Sequence, residues 1–220
     1  MSDSISPREF REAGGTEDWR VVGDGARAYF TTGSFLAGAA FVAAIAGLAD
    51  AANHYPDVDL RYAGVALRLN SPDVGDISER DVALARRISA AARELGILAD
   101  PAAVQSLQVA IDAVDVATVR AFWLAVFGYT AVEDADLSDP RALGPNVWIQ
   151  QIDAARPERN TIHLDLYVPR DQVEARLAAA LAAGGRVVND ANAPDWWTLA
   201  DPEGNEVDLA PWRDDSPRKA

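Results

Sequence analysis

The pattern of apolar residues changes at Asp100-Pro101, and this break divides the 220-residue chain into two parts of similar length. After the break, a unit of one strand, one helix and further strands occurs twice, over residues 108–153 and 161–210. Each part has the length of an ordinary small domain, which favours two separately packed cores. We therefore predict a first domain over residues 1–99, a second over 104–212 and a flexible tail over 213–220.

Capping residues mark the helices of the first part. Ser6-Pro7 and Ser34 are typical N-terminal helix signals, and Ser78 is followed by Asp81, a carboxylate form of the capping box. Strands are predicted over residues 19–22, 26–31 and 60–70, the last with a second strand beside it. The apolar residues that predict the inner helix faces are Phe35, Phe41, Ile45 and Leu48, then Val82, Leu84, Ile88 and Leu95. This order predicts an α+β domain in which helices cover an antiparallel sheet.

The second part combines strands with two helices. Strands are predicted over residues 108–114, 147–152, 161–168, 196–200 and 206–210. Helices are expected to begin at Asp115 and Asp171 and to end at Gly128 and Gly184.

Composition excludes several classes of function. The net charge is −14, with 10 basic against 15 acidic residues in the first 100 and 10 against 19 in the rest, so we expect neither nucleic-acid nor membrane binding. The chain has no cysteine, which excludes disulfides, thiolate metal sites and a cysteine nucleophile. Residues 1–11 are polar, and the most apolar run, 35–49, is shorter than a span of about 20 residues, so we expect a cytoplasmic protein.

One motif of the first part carries most of the information about its chemistry. Trp19 follows the first helix, and the long helix runs into Asn53-His54-Tyr55-Pro56. Tyr62 stands six residues beyond this motif, and Ile77-Ser78-Glu79-Arg80-Asp81 opens the last helix. In these residues the chain resembles the pterin-4a-carbinolamine dehydratases over nearly all of residues 6–96.

The resemblance implies dehydration of a 4a-hydroxytetrahydropterin to the quinonoid dihydropterin. Histidine suits this proton transfer because its ordinary pKa of about 6.5 lets one side chain act as acid or base. The family uses three histidines, whereas here His54 takes the first position, Tyr55 replaces the second and Pro72 stands at the third. Asp81 matches the family's acidic position. We expect a weakened or altered activity, because losing one acid–base group costs about 10²–10⁴-fold in rate.

The candidate residues of this first site have alternative roles. His54, Tyr55 and Asp81 are the catalytic candidates, and Asp57 and Tyr62 are the candidates for substrate binding. Alternatively, the His54 side chain bonds the last carbonyls of its helix, and Asp81 only caps the next helix.

The second part contains several family-typical motifs. These are Asp115, Ala121-Phe122-Trp123, Phe127-Gly128-Tyr129, Ile162-His163-Leu164-Asp165-Leu166, Trp197 and the turn Asp201-Pro202-Glu203-Gly204-Asn205. In these residues the second part resembles the glyoxalase-like members of the vicinal oxygen chelate superfamily over residues 107–212. The resemblance implies two β-α-β-β-β modules that close around a cleft.

Metal-using relatives place ligands on the first and last strands of each module. The matching positions here are Gln108, Gln150 or Gln151, His163 and Asp208. Imidazole and carboxylate are suitable ligands for a divalent metal, whereas an amide oxygen is a weaker one, and a catalytic site needs three good protein ligands. Gln108, His163 and Asp208 are therefore the candidate metal site, and a divalent metal there is the one cofactor that the residues suggest.

The same cleft has an interpretation without metal. His163 and Asp165 lie on one strand face by alternation, opposite an apolar face, as in a cleft lining. Asp165 and Trp197 are the candidates for substrate binding, and Trp148, Trp196 and Trp197 would form an aromatic wall for a flat ligand. Core packing is the more frequent use of tryptophan.

Three classes of function remain. The first is a hydro-lyase that acts on pterin carbinolamines through His54. The second is an enzyme or binding protein whose working site is the glyoxalase-like cleft. The third is a non-catalytic assembly or binding protein, because relatives of the first domain form oligomers. We expect a flat small molecule such as a pterin as ligand, and a homo-oligomer.

Overall fold

The computed structural model describes residues 4–23, 25–106, 108–132, 136–154, 164–168 and 172–211. The chain forms two compact units, Met1–Ser106 and Leu107–Ala220, and each is described by itself. The predicted tail over residues 213–220 lies outside the described part of the chain.

The first unit is a five-stranded antiparallel sheet with helices packed on it. Its elements are α1 (Pro7–Glu12), β1 (Arg20–Val22), β2 (Gly25–Thr31), α2 (Phe35–Ala52), β3 (Asp57–Leu60), β4 (Gly64–Leu69), α3 (Glu79–Glu94) and β5 (Leu98–Ala99). The strand order is β1-β2-β4-β3, and β5 pairs with β2. The predicted α+β class is confirmed.

Side-chain caps begin the three helices of this unit at the predicted residues. Ser6 and Ser34 each accept a hydrogen bond from the first turn of the following helix. Ser78 and Asp81 form the predicted capping box at the start of α3. These starts were predictable because a cap depends on a few neighbouring residues.

The strand predicted over residues 60–70 corresponds to β4, which begins only at Gly64, and β3 precedes it as the other strand of a hairpin. The Arg61 amide donates to the Gly64 carbonyl at 2.9 Å and closes the turn between them. A Cβ at Gly64 would lie 2.5 Å from the Phe30 carbonyl oxygen, so only glycine fits this close approach of β4 to β2. Tyr62 therefore lies in the turn, 74% exposed, and not in a strand.

Two residues predicted for inner helix faces are exposed. Phe35 is 54% exposed, because it lies six residues and about 240° around α2 from the buried Phe41. Leu95 is 49% exposed, whereas Ile97 is only 8% exposed. At Gly96 the backbone adopts a positive φ of 69°, which turns the chain back and carries Ile97 into the core in place of Leu95.

The first unit continues past α3 to the end of the Asp100-Pro101 segment. The strand β5 pairs with β2, and the Asp100 amide donates to the Tyr29 carbonyl at 2.8 Å. A single 3₁₀ turn over Pro101–Ala103 follows. The break in the sequence pattern thus lies within the first unit, because its backbone completes the edge of β2.

The second unit consists of two successive modules of the same order. The first contains β6 (Gln108–Ala113), α4 (Val116–Phe127), β7 (Thr130–Val132), β8 (Asp136–Ser138) and β9 (Asn146–Gln151). The second contains β10 (Leu164–Val168), α5 (Val173–Ala182), β11 (Arg186–Asn189), β12 (Trp197–Ala200) and β13 (Glu206–Pro211). In each module the first strand pairs parallel with the last, which gives the sheet orders β6-β9-β8-β7 and β10-β13-β12-β11.

The predicted helix boundaries of this unit are partly described. Asp115 caps α4 by accepting from the Ala117 and Thr118 amides, and Gly128 ends it in the left-handed conformation. The predicted cap Asp171 lies outside the described residues, and α5 begins at Val173.

The turn between β12 and β13 connects the two modules through hydrogen bonds. The buried carboxylate of Asp201 accepts the indole N–H of Trp123 at 3.0 Å and the Asn205 side-chain amide at 2.7 Å. Asn205 also donates to the Asp112 carbonyl at 3.2 Å, and Glu203 accepts from the Val114 amide at 2.6 Å. This turn is therefore a structural link.

Candidate functional site

The geometry with the clearest chemical meaning is a buried histidine–aspartate pair in the first unit. His54 Nε2 lies 2.7 Å from Asp81 Oδ1, and the two side chains are 8% and 0% exposed. They are 27 residues apart in sequence, so the fold brings them together. An imidazole held at one nitrogen by a carboxylate is oriented for proton transfer at the other.

The backbone at the end of α2 aims the imidazole at this carboxylate. Asn53 takes the left-handed conformation, with φ 46° and ψ 43°, and ends the helix. The His54 backbone amide then donates to the Ala49 carbonyl at 3.2 Å, while its side chain turns to Asp81. His54 thus bonds a last carbonyl of α2 through its backbone N–H, as the alternative has it, while its imidazole contacts Asp81 in addition.

The two oxygens of Asp81 have separate tasks. Oδ2 accepts the Ser78 amide at 2.7 Å, which is the capping-box bond, and the Ser71 hydroxyl at 2.8 Å. Oδ1 is left to receive His54. The side chain thus caps α3 and also holds the imidazole, so the alternative of a simple cap describes only half of its contacts.

The hydrogen bonds of Asp81 determine the tautomer that suits His54. Ser71 and Ser78 donate to Oδ2 of Asp81, and an ionised carboxylate offers only acceptors, so Oδ1 also accepts. We therefore assign the imidazole proton to Nε2, where it donates to Asp81. This assignment leaves a lone pair on Nδ1 as the proton acceptor of the site.

The other residues predicted for the first site do not join this pair. Asp57 is paired with Arg68, with Arg68 Nε 2.7 Å from Asp57 Oδ2 on the neighbouring strand. Tyr55 follows His54 directly and is 60% exposed, and Tyr62 lies in the β3–β4 turn. Among the described residues, none of these three side chains hydrogen-bonds to His54 or Asp81.

The sequence analysis did not identify a second pair of side chains near His54 and Asp81 in the chain, the ion pair Asp73–Arg80. Arg80 Nη2 lies 2.6 Å from Asp73 Oδ1. Asp73 is on the loop between Ser71 and α3, and Arg80 lies in the first turn of α3. The pKa of Asp73 is lowered, chiefly by this hydrogen bond from Arg80 and to a smaller extent by the charge of His54. The available signal was the position of Asp73 next to Pro72, where the family has a histidine.

In the second unit, one face of the second sheet is polar. Asp165 and Asp208 are register partners on β10 and β13, and Thr198 on β12 is the next partner of Asp208. The Thr198 hydroxyl donates to Asp208 Oδ1 at 2.6 Å. Leu166 and Leu209 alternate with these residues and pack on the hydrophobic core. Asp165 thus lies on the polar face, as predicted from alternation.

The proposed aromatic wall does not form as expected. Trp197 is the register partner of Leu209, so it lies on the core side and packs against the hydrophobic cluster. Its assignment as a substrate-binding residue beside Asp165 is therefore corrected. Trp148 is 40% exposed and lies on the face of β9 opposite the buried Val147 and Ile149.

The candidate metal site cannot be assembled from the described residues. Gln108 begins β6 in one sheet, and Asp208 lies on β13 in the other and accepts Thr198. His163 lies outside the described part of the chain, and Gln151 donates to the Val114 carbonyl. Across the described ranges, no three His, Cys, Asp or Glu side chains come together to hold a metal.

The described residues combine two kinds of folded unit. A helix-covered antiparallel sheet with a buried histidine–aspartate pair is fused to a unit of two β-α-β-β-β modules. Comparison with known families then identifies both parts. Residues 3–91 match the model of the family described as pterin 4 alpha carbinolamine dehydratase, and residues 108–210 match that of the glyoxalase-like domain.

Curated relatives of the first unit support its match to the pterin carbinolamine dehydratase family. A protein of Chloroflexus aurantiacus named "Putative pterin-4-alpha-carbinolamine dehydratase" is 42% identical over 71 residues, which cover 32% of this chain and 76% of the relative. A protein of Roseiflexus with the same name is 37% identical over 89 residues, covering 40% of this chain and 96% of the relative. The chain belongs to the pterin-4a-carbinolamine dehydratase family through its first unit.

Two solved structures each match part of this chain. A transcriptional coactivator/pterin dehydratase from Brucella melitensis is 24% identical with a TM-score of 0.38, covering 40% of this chain and 97% of its own. A glyoxalase/bleomycin resistance protein from Albidiferax ferrireducens is 20% identical with a TM-score of 0.39, covering 50% and 98%.

One described helix, α2, is long and apolar enough to cross a membrane by length and composition. Four of its residues, Gly38, Phe41, Ile45 and Ala49, are buried within the first unit.

Proposed function

We propose that the first unit dehydrates a 4a-hydroxytetrahydropterin and that His54 transfers the proton. The observation that carries this proposal is the 2.7 Å contact between His54 Nε2 and the fully buried Asp81, within a unit of this family. A buried carboxylate fixes the orientation of the imidazole.

The reaction needs one proton removed and one delivered. As the C4a–O bond breaks and the N5=C4a bond forms, the N5–H proton leaves and the departing hydroxyl gains a proton to become water. Nδ1 of His54 accepts the N5 proton, because Nε2 is engaged with Asp81. Tyr55, in place of the second family histidine, is proposed as the donor to the hydroxyl.

The same residues support a weakened activity. Tyrosine, with an ordinary pKa near 10, donates a proton but is a poor base at neutral pH. Pro72 has no group that transfers protons. Each missing acid–base group costs about 10²–10⁴-fold in rate, so we propose a dehydratase slower than a three-histidine enzyme.

A direct assay tests this proposal. The rate at which a 4a-hydroxytetrahydropterin is converted to the quinonoid form is measured with and without the full chain. We expect an acceleration that His54→Ala removes and Tyr55→Phe reduces. Asp50→Asn, at an exposed position four residues before His54, is the matched control and should retain the activity. No acceleration by the unmodified protein would refute the proposal.

A second function is favoured by the polar face of the second unit. Asp165, Asp208 and Thr198 lie together on the sheet face away from the core. We propose that this face binds a small polar molecule and needs no metal for binding. The test is metal analysis of protein purified without chelators, with substoichiometric metal expected. Stoichiometric metal that is lost in His163→Ala would contradict this and support glyoxalase-type chemistry.

A further inference from the structure

An exposed ion pair, Asp73–Arg80, lies at the same end of the first unit as the His54–Asp81 pair. We propose that Asp73 and Arg80 determine specificity by binding the 2-amino-4-oxo edge of the pterin. The inference rests on the proposed dehydratase function and names two residues that bind the substrate away from its reacting atoms.

The backbone connects the two pairs directly. Arg80 immediately precedes Asp81 in the first turn of α3. Asp73 lies in the turn that begins at Ser71, whose amide donates to the Asp76 carbonyl at 2.9 Å. Ser71 also donates its hydroxyl to Asp81 Oδ2 at 2.8 Å. The same short segments therefore position the carboxylate that holds His54 and the exposed pair.

The exposure of the two pairs differs in a way that fits different tasks. The side chains of Asp73 and Arg80 are 63% and 43% exposed, whereas those of His54 and Asp81 are 8% and 0% exposed. An exposed ion pair contributes little to folding stability. Its charged groups are accessible to a ligand, and the pKa of Asp73 is lowered by Arg80 first and also by His54. Asp73 is thus a charged acceptor within the electrostatic reach of His54.

The hydrogen-bonding groups of this pair complement a pterin edge. That edge presents two adjacent donors, the 2-amino N–H and N3–H, followed by the acceptor O4. A carboxylate accepts two parallel N–H bonds, and a guanidinium donates to a carbonyl oxygen. Because C4a and N5 lie just beyond O4, a pterin bound through this edge can direct its reacting atoms toward His54.

The test compares two fluorescent probes, pterin and lumazine, in equilibrium binding to the full chain. Lumazine carries an oxygen in place of the 2-amino group and therefore repels a carboxylate at this position. We expect the unmodified protein to prefer pterin. Asp73→Asn and Arg80→Gln should weaken pterin binding about 10- to 100-fold, the effect of a lost charged hydrogen bond. Asp73→Asn should also remove the preference, since an amide both accepts and donates, and Asp73→Glu should partly retain it.

The exposed pair Asp59–Arg61 supplies a matched control. Arg61 Nε lies 2.7 Å from Asp59 Oδ1, and the side chains are 75% and 53% exposed. Asp59→Asn should leave both affinities unchanged. In the dehydration assay, we expect the Asp73 and Arg80 variants to raise KM with little change in kcat, whereas His54→Ala lowers kcat.

The outcomes separate this inference from the proposed function. If the protein accelerates dehydration but Asp73→Asn and Arg80→Gln bind both probes like the unmodified chain, the pair is only a surface ion pair and the inference is wrong. If the unmodified protein neither binds pterin nor accelerates dehydration, the proposed function fails and this inference fails with it.

Discussion

Replacing Asp81 by asparagine should separate the activity of the first unit from its fold. An asparagine has nearly the same shape, so its oxygen can still accept the Ser78 amide and the Ser71 hydroxyl, now at 2.7 and 2.8 Å from Oδ2. Its NH₂ group then faces Nε2 of His54 and must donate to it. The imidazole proton moves to Nδ1, and the proton acceptor of the site is lost.

The magnitude follows from the contacts of Asp81. A hydrogen bond to a charged group contributes about 1.5–3 kcal/mol, and a neutral one about 0.5–1.5 kcal/mol. Four groups bond Asp81, namely the Ser78 amide, the Ser78 and Ser71 hydroxyls and the His54 imidazole. A loss of about 1 kcal/mol in each bond costs about 4 kcal/mol in total, less than the usual stability of a domain. In a unit of this size, such a loss lowers the transition temperature by about 15–30 °C. The dehydration rate should fall about 10²–10⁴-fold, as for loss of a general base.

Two measurements check this prediction at a temperature where the variant remains folded. Calorimetry of the full chain should show the transition of the first unit lowered and that of the second unchanged. The dehydration assay should show Asp81→Asn as inactive as His54→Ala. Full activity of a folded Asp81→Asn protein would refute the reasoning. Asp81→Ala should be less stable than Asp81→Asn, because its buried donors then have no acceptor at all.

Three further predictions concern other parts of the chain. Asp201→Ala should destabilise the second unit by about 3–5 kcal/mol, because four donors lose a buried acceptor, and calorimetry should show only that transition lowered. The pKa of Asp139 is lowered, chiefly by the Arg141 amide and also by that of Gly144. The loop should therefore keep its full stability above the ordinary carboxyl pKa of about 4 and lose it as the pH falls through the lower folded value, as the NMR shift of the Gly144 amide will report. For the expected homo-oligomer, Ala43→Glu on the exposed face of α2 should lower the mass measured by light scattering, and an unchanged mass would exclude this face as the interface.

Local chemistry explains what the sequence could predict. The starts of α1, α2 and α3 follow from serine caps, and a cap needs only the residues of one helical turn. The errors at Phe35 and Leu95 arose where helical phase or a glycine turn changes which side chain reaches the core. The Arg61–Gly64 turn was missed because β4 must approach β2 closely, and that contact is not local in sequence.

The candidate site, too, could be predicted only as far as its features depend on residues that are close in sequence. The family motif indicated His54 and Asp81, but the choice between cap and catalytic partner depended on which carboxylate oxygen each donor reaches. Asp73 and Arg80 were missed because exposed acidic and basic residues are numerous in this chain, and the position of Asp73 next to Pro72 was the one local signal for this pair. Trp197 was misplaced because its face depends on the register of β12 with β13.

The double role of Asp81 bears on how one histidine can work where the family uses three. A side chain that caps a helix has little freedom, so Oδ1 is held in the direction in which His54 needs it. The fold of α3 therefore supplies the orientation of His54, and under the proposed function this positioning does not depend on further imidazoles. In the second unit, the motif most typical of the glyoxalase-like family, Asp201 to Asn205, is occupied by links between the modules. Its presence therefore supports the fold of that unit and is no argument for its chemistry.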